Sequence, residues 1–166
     1  ADVHFVPFGV RPGEDTSCLN MYRPSNPRIM AVPPTLIESR RFRFQSSLAV
    51  TEEEQQNPRL LLNETEVDGA IPIIADAGSA TYVLHLKLGE ELVVPSSVGE
   101  PLRLKLVATL ADSLFQSELL MAESSFRRAF PDENGFRFFL IEAEPQAMPQ
   151  VTEILEQRLG DFGFDV

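Results

Sequence analysis

The spacing of hydrophobic and polar positions changes several times along the chain, and it predicts a mixture of strands and helices. Strand-like runs occupy residues 3–9, 28–32, 41–48, 71–75 and 136–143, with two more on either side of a turn at Val98-Gly99. Helical patterns occupy residues 35–39, 76–88 and 124–130, and a last amphipathic helix begins at Pro149. From Ile71 onward the order is β-α-β-β-β-α-β-α-β. This order predicts an α+β fold, a mixed β-sheet with helices packed on it in one or two lobes.

The helix predicted for residues 76–88 has a clear beginning and end. Asp76 is a good N-cap residue, and Gly89 follows the last helical position. His85 is then expected on the same helix, nine residues after Asp76, on an exposed or half-exposed face. Because that spacing is more than two helical turns, a direct hydrogen bond between the two side chains is excluded.

A polar elbow at residues 112–117 follows the second strand of the central pair. Asp112 stands where an Asx turn or a helix cap is favoured. Leu114 and Phe115 form an apolar pair that either fills the core or docks a partner. The core is the favoured interpretation of this pair.

Two polar segments predict loops. Residues 51–57 are acidic and are the best candidate for an exposed, mobile loop, and residues 11–20 are rich in Gly, Pro, Asp and Ser. Seven apolar positions on the inward phase of their elements are predicted to be buried: Ile73, Val83, Leu84, Leu106, Phe138, Leu140 and Ile154.

Charge narrows the classes of function. The chain carries a net charge of −11, which repels phosphate backbones and argues against nucleic-acid binding. Arg40, Arg41 and Arg43 make the densest basic run, which is typical of a solvated face.

Length predicts a single domain over residues 1–166, with an N-terminal arm at 1–27 and an inserted lobe around 40–70. No window holds 18 consecutive apolar residues, so no membrane span is predicted. The start at Ala1 fits an excised or processed domain.

The residue types of hydrolytic chemistry occur, but their spacing favours structural roles. The groups of a Ser-His-Asp triad are all present, at His85, Asp76, Ser79, Ser113 and Ser117. No G-x-S-x-G nucleophile elbow accompanies them. We therefore predict no catalytic residue and no enzyme activity.

Metal and cofactor sites are not predicted either. Cys18 is the only cysteine, and His4 and His85 are the only histidines, so a zinc cluster is not expected. Neither histidine is placed beside Cys18, which favours a structural loop cysteine over a nucleophile. The turn at residues 132–135 lacks the spacing of a calcium loop.

The run from Asp68 to Pro131 resembles a known family. It contains P-x-I-A-D at 72–76, L-G-x-x-L at 88–92 and L-x-L-V-A-x-L-x-D-S-x-F-Q at 104–116. This order is similar to the extracytoplasmic, MacB-like periplasmic core domain of FtsX-like ABC-transporter permeases. The resemblance is strongest over about residues 27–166 and is weak before them.

The resemblance implies a non-enzymatic extracytoplasmic domain that couples ATP-driven motion of membrane helices to substrate or partner handling outside the bacterial inner membrane. The implied partners are the permease's own membrane helices, a separate ABC ATPase subunit, and a second permease copy or an extracytoplasmic partner protein. No cofactor and no nucleic acid are implied. Such an inserted domain also requires Ala1 and Val166 to lie on one side. A secreted or periplasmic hydrolase and a ligand-binding module remain as alternatives.

Overall fold

The computed structural model describes residues 2–13, 26–97, 99–163 and 165–166, and its strands follow most of the predicted runs. The strands are β1 (His4–Arg11), β2 (Arg28–Val32), β3 (Arg43–Ser47), β4 (Ile71–Asp76), β5 (Glu91–Val94), β6 (Leu102–Ala111), β7 (Glu118–Ala122) and β8 (Phe138–Glu142). The helices are α1 (Pro34–Glu38), α2 (Glu52–Gln56), α3 (Glu123–Ala129) and α4 (Met148–Leu159). Short 3-10 turns cover Pro58–Asn63 and Gly160–Phe162, and a π-helical turn covers Ser79–Val83. Cys18 and most of the predicted loop at 11–20 lie outside the described residues.

The sheet mixes parallel and antiparallel pairs. Its order is β3-β6-β4-β7-β2-β1, and β8 follows β1 in that order. β4 pairs with β6 and β2 pairs with β7 in parallel, whereas β1·β2, β3·β6, β4·β7 and β5·β6 are antiparallel. The long β6 pairs with β5 through its first half and with β3 through its second half. This mixed sheet with packed helices confirms the predicted α+β fold class.

The core lies on the central strands. β4 and β7 each have strands on both sides and read as nearly continuous apolar runs, as expected for strands that are covered on both faces. The predicted core residues Ile73, Leu84 and Leu106 are at most 1% exposed. In the apolar run at 60–62, Leu61 and Leu62 are buried as well.

Four predicted core positions are not buried. Val83, Phe138 and Leu140 are half-buried, and Ile154 is 50% exposed. Two of these positions lie on β8, which comes last in the strand order, and Ile154 lies on α4, which has no buried residue. An amphipathic pattern identifies the less exposed face of an element but does not show how completely that face is covered.

Residues 51–57 contain a helix, α2, so the prediction of a loop there is wrong. The side-chain oxygen of Thr51 accepts a hydrogen bond from the Glu54 N–H at 3.2 Å. The Glu54 carboxylate accepts one from the Thr51 N–H at 3.0 Å. This reciprocal pair is a capping box, and the T-x-x-E spacing is its signal in the sequence.

Replacing Thr51 with Ala should loosen α2, because the first turn then loses a side-chain acceptor. We expect a loss of about 1 kcal/mol in local stability, measured as faster amide hydrogen exchange in α2. The backbone N–H groups of Thr51 and Val50 lower the pKa of Glu54. Because this pKa is depressed on folding, the Glu54 contribution is complete above the ordinary pKa of Glu and is lost as pH falls through the lowered value.

The control is Glu52→Gln, which changes a charge in the same helical turn without touching the capping box. It should leave the acid dependence of exchange in α2 unchanged. Exchange rates in Thr51→Ala that equal those of the parent protein would contradict the role of the cap.

The chain divides into two compact units. The larger is Phe8–Phe138, and the smaller contains residues 2–7 together with 139–166. The segments next to both chain ends therefore belong to the same unit. None of the described helices is both long and apolar enough to cross a bilayer, and the longest, α4, has 12 residues. The arm at 1–27 and the lobe around 40–70 stay predictions.

Candidate functional site

Two parallel strands bring the P-x-I-A-D segment and the polar elbow to one edge of the sheet. β4 ends at Asp76, which is paired in register with Leu110 of β6. β6 ends one residue later, at Ala111, and the elbow at 112–117 follows it. Because parallel strands end at the same edge, the elbow lies beside Asp76 although the two are far apart in sequence.

A set of side-chain hydrogen bonds, which we call the elbow junction, connects Asp76, Ser79, Ser113 and Ser117. Asp76 Oδ1 accepts from the N–H groups of Gly78 at 3.0 Å and Ser79 at 3.2 Å. Asp76 Oδ2 accepts from the Ser113 N–H at 3.2 Å, across the two strand ends. The Ser79 hydroxyl in turn accepts from the Ser117 N–H at 2.8 Å.

The elbow junction is a structural connection between strand ends. Asp76, Ser79 and Ser113 are each less than 10% exposed, and their side-chain oxygens accept from backbone N–H groups. A buried carboxylate is stabilised by such donors, so no basic partner is needed there. Four of the five candidate triad residues therefore lie together, and the hydrogen bonds between them run from backbone N–H groups to side-chain oxygens.

His85, the fifth residue, does not join them. Within the described residues, no hydrogen bond joins His85 to Asp76 or to any of the three serines. The predicted helix at 76–88 is shorter than expected, because the Leu84 N–H bonds to the Ser79 carbonyl at 2.9 Å and closes the π-helical turn.

The segment after that turn is not helical. His85 has a φ of +48°, which a continuing right-handed helix does not allow. Leu84 and Leu86 are buried, whereas His85 and Lys87 are exposed. This alternation has the period of an extended chain, and the sequence L-H-L-K-L at 84–88 is the signal that the helix prediction overlooked.

The apolar pair of the elbow divides between core and surface. Phe115 is 1% exposed, and its ring centroid lies 5.7 Å from Phe8, 5.5 Å from Phe42 and 6.2 Å from Phe138. Leu114 is 51% exposed. Phe115 therefore anchors the elbow in the core, which agrees with the favoured interpretation for that residue.

Ser113 makes the side-chain turn that was expected of Asp112. The Phe115 N–H donates to the Ser113 hydroxyl at 2.9 Å. Asp112 instead lies 3.7 Å from Arg43, with both side chains highly exposed. Its φ of +48° and the φ of +67° at Ser117 turn the chain at the two ends of the elbow.

Arg59 is a buried cation that the sequence analysis did not identify. It is 5% exposed, donates to the Ser39 carbonyl at 2.6 Å, and lies over the rings of Phe42 at 5.6 Å and Phe44 at 5.2 Å. Burial and then the charge of Arg41 lower the pKa of Arg59 to about 10, so it stays protonated at neutral pH. Nothing in the local sequence distinguishes Arg59 from exposed arginines.

The basic run at 40–43 is largely solvated, as predicted. Arg40 and Arg43 are exposed, and Arg41 is half-buried. In the part of the chain that the structure describes, no three His, Cys, Asp or Glu side chains cluster as metal ligands would.

The sequence matches no family model and no curated protein. The solved structures that are similar to this chain include two domains outside the membrane. The periplasmic region of MacB from Actinobacillus actinomycetemcomitans is 12% identical, with 94% of this chain and 67% of that chain covered and a TM-score of 0.43. The extracellular domain of the noncanonic ABC-type transporter YknZ from Gram-positive bacteria is 11% identical, with 97% and 76% covered and a TM-score of 0.43.

Proposed function

We propose that this chain is the extracytoplasmic domain of an ABC-type permease and has no enzymatic chemistry of its own. It couples ATP-driven motion of membrane helices to a substrate or partner outside the membrane. The observation that supports this function best is the elbow junction. The P-x-I-A-D and D-S-x-F-Q parts of the family-like run meet there at one buried carboxylate, that of Asp76.

A mechanical role requires a connection that moves as one piece. The elbow junction ties the ends of β4 and β6 through buried hydrogen bonds, and closely packed, bonded groups have few alternative arrangements. The segments next to both chain ends lie in the smaller unit. That placement suits a domain that is joined to membrane helices at each end.

The proposed partners are those that the resemblance implies. They are the permease's own membrane helices, a separate ABC ATPase subunit, and a second permease copy or an extracytoplasmic partner protein. The proposed location is the outer side of the bacterial inner membrane.

Surface labelling tests this location. Tyr82 is 80% exposed, so Tyr82→Cys in a full-length protein without other cysteines should react with a membrane-impermeant maleimide in intact cells. A cysteine placed in the ATPase subunit is the control and should react only after lysis. Reaction of Tyr82→Cys only after lysis would rule out an extracytoplasmic domain.

Hydrogen exchange tests the coupling. In the reconstituted permease with its ATPase, exchange in α4 should change when ATP is added, and an ATPase variant that cannot bind ATP should abolish the change. Unchanged exchange during active transport would overturn the coupling and leave the location standing. Hydrolysis of ester or peptide substrates by the chain alone would favour the hydrolase alternative.

A further inference from the structure

A cavity of about 390 Å³ lies beside the π-helical turn in the larger unit, and we infer that it binds a small amphiphilic carboxylate. Such a ligand has one carboxylate group and a short apolar chain. We call this cavity the π-turn cavity. Its wall combines residues of β3, the π-helical turn, the irregular segment at 85–88 and β6. Its volume lies in the range of small-molecule sites, about 300–1,000 Å³. This inference is independent of the proposed transport function.

The charge of the wall favours an anion. The chain contains 25 acidic residues, but none of the residues that line the cavity is Asp or Glu. His85 and Lys87 both line it. The neighbouring Glu90 carboxylate accepts a hydrogen bond from the Lys87 backbone N–H at 2.9 Å, and Lys87 itself is exposed at the cavity.

Hydroxyl groups supply further donors. Ser46 Oγ and Thr109 Oγ1 lie 2.7 Å apart, so one hydroxyl donates to the other. The hydroxyl that accepts this bond can still donate its own hydrogen to a ligand. Thr81 adds another hydroxyl to the wall. These neutral donors and the ammonium of Lys87 together suit a carboxylate, whose two oxygens accept several hydrogen bonds.

Apart from Gln45, the remaining wall is apolar. Ala80 and Leu86 are 2% and 3% exposed and form part of the lining, together with the half-buried Leu88. An alkyl chain that lies along Leu88 gains free energy by leaving water. The ligand therefore needs an apolar part as well as its carboxylate.

The backbone around the cavity is also unusual. The π-helical turn Ser79–Val83 forms one side, and His85 adopts a positive φ next to it. π-Helical turns and positive φ at bulky residues both recur at functional sites. The turn at His85 buries the two flanking leucines and presents Lys87 beside the cavity.

Titration with octanoate tests the site. Isotope-labelled protein is followed by NMR, with octanoate kept below its micelle-forming concentration. Saturable shifts are expected at the amides of Thr81, Leu86 and Leu88. Lys87→Gln should weaken binding about tenfold, since it removes one charge-assisted hydrogen bond. Octanamide, which has no charge, should bind the parent protein about tenfold more weakly than octanoate.

Two further variants keep the test specific. His85→Asn tolerates the positive φ and should also weaken octanoate binding. Arg158→Gln makes the same change of charge on an exposed residue of α4 and should leave binding unchanged. The site is overturned if no saturable shift appears, if octanamide binds as tightly as octanoate, or if Lys87→Gln and Arg158→Gln have equal effects.

Discussion

Replacing Asp76 with Ala should lower the free energy of unfolding by about 3–5 kcal/mol, since each buried N–H without an acceptor costs about 1–3 kcal/mol. The Asp76 carboxylate accepts from the backbone N–H groups of Gly78, Ser79 and Ser113, and the Ser79 and Ser113 bonds are buried. Ala supplies no acceptor for these N–H groups. Urea denaturation of the parent and variant proteins measures the difference.

Asp76→Asn separates the hydrogen bonds from the size of the side chain. Asn has nearly the same shape, but an NH₂ group replaces one of the two carboxylate oxygens. That NH₂ group is a donor and would face a backbone N–H, which is also a donor, so one hydrogen bond is lost. This variant should therefore also be destabilised. The control is Asp112→Asn, which should change stability by less than about 0.5 kcal/mol because its side chain is 91% exposed. Equal stability of Asp76→Asn and the parent protein would show that the junction is not held by this carboxylate.

Phe115→Ala is expected to cost about 3–5 kcal/mol, the usual range for a fully buried aromatic residue. The ring lies among those of Phe8, Phe42 and Phe138, and truncation leaves a cavity that these three side chains cannot fill without moving. Thermal unfolding of the variant should show a clearly lower midpoint than that of the parent protein.

The adjacent residue provides a matched control for Phe115. Leu114→Ala removes an apolar side chain that is 51% exposed, and it should cost less than about 1 kcal/mol. If both substitutions destabilise the protein to the same degree, the division of the elbow between core and surface is wrong.

Most strands were predictable because their signals are local. β2 begins and ends at the predicted residues, 28 and 32, and the short helix after it begins at Pro34, one residue before the predicted start. The errors are also local. The capping box of α2 and the alternating L-H-L-K-L segment are both visible in the sequence. The acidic composition of residues 51–57 nevertheless favours a loop, and the N-cap at Asp76 favours a helix that continues to residue 88.

The elbow junction was only partly predictable. Asp76 and Ser113 were both among the candidate triad residues, but their meeting depends on the parallel pairing of β4 with β6. Such pairing joins segments that are distant in the sequence, and no local pattern encodes which strands become neighbours. The burial of Arg59 escaped prediction for the same reason, since the rings that cover it come from residues 42 and 44.

The division of the chain into two units has a consequence for the order of folding. The smaller unit combines residues 2–7 with 139–166, so it cannot form until residues 139–166 have emerged from the ribosome. The larger unit is complete by Phe138, and its two ends already meet, since the rings of Phe8 and Phe138 lie 5.4 Å apart and the Arg137 N–H donates to the Phe8 carbonyl. Once the larger unit has folded, the entropic cost of joining the two parts of the smaller one is mostly removed. During synthesis, residues 2–7 therefore remain without their partner until residues 139–166 have been made.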